Sequence, residues 1–381
     1  MALLLFWLFL GLVVYTYIGY PAIIGFISPH APVPFRKDDS FSPSVSVIIS
    51  VFNEQEYIER KITNILGQNY PQEKIEILIG SDGSIDATDE IVRKYSSRVQ
   101  LFSFDTRRGK PSILNCLAAK ASGEIIVFAD ARQTFDEHAI RELTARFIDE
   151  RIGCVSGELF LQGEETSTAG KGLGMYWKYE KLMRLRESAI DSMVGATGAI
   201  YAIRRKLFMP IPEDTLLDDM LIPLRIAQSG YRCLFEPRAM AYDRIAQTPA
   251  EESRRKVRTL AGNVQLFVTH KKLLNPFSNR LAWQLFSHKV LRVKAPYFLI
   301  IIFLSNAFLA VTPGTSAYRA FFLLQVGFYI IAIAGSLLAG RMTGYLSVPR
   351  TFCQLNIDAV RGAYAFFFDK SNILWEKQAQ K

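Results

Sequence analysis

Cysteine, histidine and nucleotide-binding glycine loops are all scarce or missing in this sequence. Four cysteines in 381 residues (Cys116, Cys154, Cys233 and Cys353) have no paired spacing. They form neither a disulfide framework nor a zinc knuckle, and a reducing compartment fits them best. The four histidines are far apart and suggest no metal cluster. After the first apolar strand the chain reads Ser50-Val51-Phe52-Asn53-Glu54, without glycine. A Gly-x-Gly-x-x-Gly loop is expected there for NAD or FAD, so such a cofactor is disfavoured. No Gly-x-x-x-x-Gly-Lys-Ser/Thr occurs, which disfavours a P-loop kinase or ATPase. There is no internal repeat and no low-complexity tract.

Charge is also missing in places. Half of the residues are hydrophobic, yet the chain carries a net charge of +9. The first charged residue is Arg36, and from Arg254 to Lys294 there is no Asp or Glu against ten Lys and Arg, leaving the rest of the chain at −1. Such an excess suits nucleic acid, anionic lipid or a phosphorylated substrate.

The uncharged opening, Ala2 to Ile27, is long enough to span a bilayer of ~30 Å at 1.5 Å per residue. It lacks the basic start and short apolar core of a cleaved signal peptide. A retained helix over residues 1–28 is expected, with Trp7, Tyr15, Tyr17 and Tyr20 at its interfaces. Two further uncharged runs, Ala295 to Tyr318 and Ala320 to Gly340, predict two more spans within 295–340. The cationic stretch precedes them and Arg341 and Arg350 follow, so the positive-inside rule puts the middle of the chain and the C-terminus in the cytoplasm of a multi-pass inner (plasma) membrane protein. Residues 280–294 and 351–375 mix aromatic and basic positions as amphipathic helices do. Either they lie on an anionic interface or they pack on the domain.

Residues 41–270 read as a soluble α/β domain. Strands are expected at Val45–Val51, Ile75–Ile79, Val99–Phe104 and Glu124–Ala129, and helices at Glu56–Gln68, Asp86–Tyr95 and Lys110–Lys120. This alternation predicts a mostly parallel sheet with helices on both faces. Ligands of such sheets bind beyond the carboxyl ends of the strands. Those ends carry Asn53-Glu54, Asp82-Gly83-Ser84, Arg107-Arg108-Gly109-Lys110 and Asp130-Ala131-Arg132.

Taken in order, these motifs resemble glycosyltransferase family 2, inverting enzymes of GT-A fold (a Rossmann-like nucleotide-sugar-binding domain), and in particular its cellulose, hyaluronan and poly-N-acetylglucosamine synthase group. The resemblance covers about Val45 to Val268. It implies that Glu54 contacts the uridine end of a donor, that Asp82, in Ser81-Asp82-Gly83-Ser84, holds the base or ribose, and that Lys110 approaches the nucleotide. Asp130 matches the first acid of the family's Asp-x-Asp, and would be a ligand of Mg or Mn. Arg132 stands where the second acid is expected, and an Arg cannot be an oxygen ligand. Either Asp130 binds metal with partners from elsewhere, or cationic groups partly replace the metal at the diphosphate.

Leu217-Asp218-Asp219 resembles the Thr-Glu-Asp motif, which makes Asp219 the general base and gives Asp218 a place beside the acceptor. Asp218 would raise the pKa of Asp219 by like-charge repulsion. The bland reading is that these acids favour a helix N-terminus. Gly195 and Gly198, in a segment followed by Arg204-Arg205, resemble the acceptor-pocket lining. Arg258, in Arg255-Lys256-Val257-Arg258-Thr259, matches the Arg of Gln-x-x-Arg-Trp, which meets the donor diphosphate. The Gln and Trp of that motif are missing, which puts processive synthesis in doubt. Trp177, Tyr176 and Tyr179 suit an acceptor platform or simple core packing.

The resulting expectation is a membrane-anchored inverting transferase with membrane lipids as neighbours. It moves sugar from a nucleotide-sugar donor, with UDP favoured, to a glycan or lipid-linked acceptor. Three spans are few for a wide translocation channel unless the chain forms a homo-oligomer. Alternatives are a polyprenyl-phosphate sugar transferase and an inactive scaffold subunit. Nucleic acid is not expected as a partner, because no recognised binding module accompanies the basic residues.

Overall fold

The computed structural model describes residues 1–29, 35–162, 168–244, 249–337 and 348–369. In chain order its helices are α1 (Ala2–Ile27), α2 (Ile58–Leu66), α3 (Thr88–Arg93), α4 (Lys110–Lys120), α5 (Ala139–Thr144), α6 (Thr168–Ile190), α7 (Asp218–Gln228), α8 (Pro249–Thr269), α9 (Ala282–Val311), α10 (Ser316–Leu337) and α11 (Val348–Phe368). Its strands are β1 (Val45–Val51), β2 (Ile75–Asp82), β3 (Val99–Phe104), β4 (Ile125–Ala129), β5 (Thr134–Phe135), β6 (Ile152–Gln162), β7 (Ile200–Arg204) and β8 (Arg232–Arg244).

All eight strands join one sheet in the order β3-β2-β1-β4-β7-β6-β8-β5. The first half, β3-β2-β1-β4, is parallel. Its strands are apolar on both faces because both are covered. Val47, Ile49, Val51, Ile77, Ile79 and Val127 pack under α2 and α5, while Ile48, Leu78, Ile126 and Phe128 pack under α4 and α7. The expected alternation is therefore present, and β1, β3 and α4 have the bounds read from the sequence. α3 begins two residues later than expected. Asp86 lies just before it and accepts the Thr88 backbone N–H at 3.0 Å.

The second half of the sheet mixes directions. β7 runs antiparallel to β4, with Ala129 opposite Ile200 and Ile125 opposite Arg204. Its start therefore lies at the ligand end of the sheet and its finish at the far end. β6 pairs antiparallel with β7 and parallel with β8.

Three helices are long and apolar enough to cross a membrane: α1, α9 and α10. Phe6 of α1 packs with Ile302 and Leu309 of α9, and Trp7 donates to the Tyr318 hydroxyl at 2.9 Å. Large apolar side chains face outward along them, among them Leu4, Leu304, Phe308, Leu323 and Leu324.

Two expectations change here. Residues 282–294 do not form a helix apart from the apolar segment that follows: they are the first part of α9, which continues through a π-helical turn at Phe286–Val290, with Trp283 and Phe286 exposed. Nor does Tyr20 lie at an interface. It is fully buried and donates to Glu187 Oε1 at 2.8 Å. The segment expected at 351–375 is helical as far as Phe368. Its α11 packs on α8 through Ala363, Ala365 and Phe366, yet leaves Tyr364, Phe367 and Phe368 exposed. Residues 370–375, like 338–340 of the last expected span, lie outside the described residues.

Candidate active site

The carboxyl ends of the parallel strands form the floor of one site. The loop after β1 carries Asn53, whose φ is +50°. Asn53 donates its N–H to Ser84 Oγ at 3.1 Å and accepts from the Ile85 N–H at 2.9 Å, which joins the first two loops. Glu54 is buried, and its N–H donates to Thr88 Oγ1 at 2.8 Å. Asp82, also buried, accepts the backbone N–H groups of Arg108 and Gly109 at 2.6 and 2.9 Å. Gly83, at φ +72°, lets that third loop lie close: a Cβ there would stand 3.0 Å from the Arg107 nitrogen. Asp82 thus holds the loop that delivers Lys110.

Lys110 opens α4 and reaches across the site. Its Nζ lies 3.1 Å from Asp130 Oδ1 and 3.6 Å from Asp218 Oδ2. Burial works against its charge, but Asp130, Asp218 and Asp219 outweigh burial and raise its pKa. Asp218 and Asp219 form the first turn of α7, where a helix N-terminus favours acids. Burial first, then the neighbouring Asp218, pushes Asp219 up to about 6, while Lys110 and Arg184 pull the other way. α8 is pressed onto the residues before Asp218, where a Cβ on Gly262 would meet Leu217 Cγ at 2.5 Å. One turn upstream on α8, Arg258 comes within electrostatic reach of Asp218, Asp130 and Asp219; burial lowers its pKa and the three acids oppose that.

The segment before β7 closes the far wall. Ala196 donates its N–H to the Asp219 carbonyl at 2.8 Å. A Cβ on Gly198 would stand 2.8 Å from Asp219 Oδ2. Gly195 instead faces Met220, 2.9 Å from its Cγ, so its lack of a side chain makes room for α7. Arg204 and Arg205 do not join this wall. Because β7 runs away from the site, Arg204 is buried at the other end of the sheet, donating to the Ile152, Phe147 and Asp149 carbonyls, and Arg205 donates to the Gly123 carbonyl.

A cavity of about 170 Å³ near the Gly198 segment is lined by Phe160, Trp177 and Phe235, by Lys178, Lys181 and Arg184, and by the acids Glu158 and Glu180. Arg184 donates to Thr197 Oγ1 at 2.5 Å, tying this cavity to the segment of Gly198. The side chain of Tyr176 lies outside the described residues. Sequence reading missed Arg184, because nothing local marks a residue of α6 as facing a segment thirteen positions on. It also missed Lys61, fully buried beneath the β4 end. Lys61 Nζ donates to the Gln133 carbonyl at 3.0 Å and lies 3.6 Å from the centre of the Phe135 ring. Burial pushes its pKa down to about 7. Its position among Ile58, Ile62 and Ile65 on the apolar face of α2 was the one signal available.

Much of the basic stretch from Arg254 to Lys294 is answered by acids from outside it. Arg255 pairs with Glu251, Lys256 with Glu252, Arg280 with Asp191, and Lys289 and Arg292 with Glu180. His288 is buried between Glu180 and Glu187, with Nε2 3.2 Å from the first and Nδ1 2.8 Å from the second. Arg254, Lys271 and Lys272 are exposed.

The donor set does not fit a divalent cation held by protein ligands. Among the described residues no three His, Cys, Asp or Glu side chains are grouped to hold one. Asp130 already faces the Lys110 ammonium, and Arg132 follows where a further acid would be needed.

A half-parallel sheet that gathers acids and a lysine at its strand ends, with a carboxylate pair opening α7, is the arrangement of a GT-A fold. Residues 46–211 match the model of Glycosyl transferase family 2. The chain is 25% identical over 251 residues to the probable glycosyltransferase YdaM of Bacillus subtilis (strain 168), covering 60% of this chain and 57% of that protein. It is 26% identical over 242 residues to the poly-beta-1,6-N-acetyl-D-glucosamine synthase of Staphylococcus aureus (strain COL), covering 61% and 56%. The matches thus span little more than half the length of these relatives. In fold it is similar to the mannosyltransferase PcManGT from Pyrobaculum calidifontis, solved in complex with GDP-Man and Mn2+, with a TM-score of 0.74 and 21% identity over 96% of this chain and 100% of that one.

Proposed function

We propose that the chain is a membrane-anchored inverting glycosyltransferase that moves a sugar from a nucleotide-sugar donor to a glycan or lipid-linked acceptor in polysaccharide synthesis. The observation that carries this reading is the placing of Asp219. It is a carboxylate of raised pKa on the first turn of α7, opposite a glycine and within electrostatic reach of Lys110, Arg184 and Arg258. In the proposed reaction an acceptor hydroxyl gives its proton to Asp219 as its oxygen attacks the anomeric carbon. The bond from that carbon to the diphosphate oxygen breaks on the opposite side, and the electron pair leaves with the nucleoside diphosphate. A positioned base supplies roughly 10²–10⁴-fold to such a step. Cations near the leaving oxygen stabilise the charge that develops there.

The same reading gives roles to the other residues. In it Glu54 and Asp82 serve the nucleoside end, Lys110, Asp130 and Arg258 the diphosphate, and the 195–198 segment, with Gly195 and Gly198, the acceptor. Asp218 sits beside Lys110 and acts on Asp219 through its charge. The rings of Phe160, Trp177 and Phe235 offer faces on which sugars stack. The outward apolar side chains of α1, α9 and α10 support a membrane setting, and the flanking basic residues support a cytoplasmic site.

A second reading takes a polyprenyl phosphate as the acceptor, with Lys178 and Arg184 of the cavity as its cations, Lys181 being paired with Glu158 at 2.7 Å. One experiment tests both. Membranes containing the protein are incubated with radiolabelled UDP- and GDP-sugars and the products are sized. Label in a polymer supports the first reading and a single sugar on a lipid phosphate the second. No transfer from any donor, with Asp219→Asn indistinguishable from the parent, would overturn both.

A further inference from the structure

The cofactor position of this site is filled by the wrong kind of residue for a metal and the right kind for a phosphate. Asp130 ends β4 with one oxygen 3.1 Å from the Lys110 ammonium. Two residues on, the side chain is the guanidinium of Arg132, half-buried. Arg258 enters from α8, close enough to Arg132 for the two charges to oppose each other and close to Asp218, Asp130 and Asp219. A divalent cation beside Asp130 would be set against these three positive groups. A hard cation at a diphosphate takes phosphate oxygens together with one or two carboxylates; here the carboxylate at the β4 end, Asp130, is already paired with Lys110, and Arg132 stands where a second would be. The archaeal mannosyltransferase of the same fold is the contrasting case, since it holds Mn2+ with its donor.

We propose that Lys110, Arg132 and Arg258 together take the place of a divalent cation at the donor diphosphate, so that this chain binds nucleoside diphosphate and transfers sugar without one. The proposal rests on the donor reading given above. Lys110 lies against Asp130 and Asp218, and Arg258 lies within electrostatic reach of Asp130 and of Arg132, so cations from three separate elements gather at the strand end where the diphosphate is proposed to bind. When the bond from the anomeric carbon to the diphosphate oxygen breaks, the electron pair goes to that oxygen. The extra negative charge meets fixed N–H donors, and the acceptor's proton goes to Asp219. Guanidinium groups suit this task because they meet phosphate oxygens two at a time. Arg132 is then a donor-binding residue rather than the scar of a lost metal ligand.

The test uses the full chain in detergent, titrated calorimetrically with UDP and with GDP, first in excess EDTA and then with millimolar Mn2+ or Mg2+. The expected result is one nucleotide bound with the same affinity, within about twofold, under all conditions, and sugar transfer retained in EDTA. Arg132→Asp is expected to lose about tenfold or more in affinity in EDTA, and to regain it with Mn2+, whose spectrum broadens as it binds. Arg132→Gln, which keeps the size without charge or new ligand, is expected to lose affinity that Mn2+ does not restore. Parent protein that binds nucleotide only with Mn2+ or Mg2+ would overturn the proposal and leave the donor reading standing. Parent protein that binds neither nucleotide under any condition would overturn both.

Discussion

A Cβ on residue 198 would stand 2.8 Å from Asp219 Oδ2. No other residue type leaves the carboxylate where it is, because a carbon that close to an oxygen must displace it. Gly198→Ala is expected to lower kcat by about 10²-fold, the usual result of moving a reacting group by about 1 Å. Nucleotide affinity should be unchanged, since the proposed nucleotide site is built from Glu54, Asp82 and Lys110 and not from residue 198. Steady-state kinetics beside nucleotide titration checks this, and equal loss of both would refute it.

Asp219→Asn is expected to reduce transfer by ~10²–10⁴-fold. In the parent, transfer should fall on the acid side with a midpoint near pH 6, because the base must be ionised and its pKa is pushed up to about 6 from 3.8. The same shift has a stability consequence. Folded Asp219 binds its proton more tightly than the unfolded chain does, so stability falls as pH rises from about 4 to about 6. Above that range ionised Asp219 is a standing cost. Asp219→Asn should therefore raise Tm at pH 7 to 8 and leave it nearly unchanged at pH 4. Thermal melts at the two pH values measure it.

Lys110→Gln should move the acid limb upward. Lys110 holds down the pKa of Asp219, and without it Asp130, Asp218 and Asp219 face one another unscreened. The midpoint of the pH–rate profile is expected to rise by about one unit, and donor affinity to fall. An unmoved midpoint would mean that Lys110 does not govern the base.

Glu180→Gln removes the acid shared by His288, Lys289 and Arg292. Glu180 is 4% exposed, and stranding buried cations usually costs about 3–5 kcal/mol. A fall in Tm of several degrees is expected, with little change in nucleotide affinity, since this cluster is not at the diphosphate. Melts and titration on the same preparation separate the two effects.

Much of the site was readable in the sequence, for a physical reason. The parallel strands are buried on both faces, so their ends stand out as the places where apolar runs give way to Asn53-Glu54, Asp82 and Asp130. Lys110 and Asp219 follow from the same order of motifs. What sequence order could not give is direction and long-range pairing. Arg204 was set beside Gly198 because the two are close in the chain, but an antiparallel β7 carries Arg204 to the far end of the sheet. The basic stretch before the late apolar helices read as an unbalanced charge, but Glu180 and Asp191 reach it from more than sixty residues away. Lys61 was hidden by its neighbours, since an apolar helix face announces a core and not a buried ammonium.

The helix that begins at Ala282, just after the α/β domain, runs on to Val311 as one of the three helices long and apolar enough to cross a membrane. Glu180 and Glu187 hold it beside its π-helical turn through His288, Lys289 and Arg292. In the proposed membrane setting this joint ties the depth of Asp219 to the helix itself, so an acceptor would be selected by reach as well as by recognition.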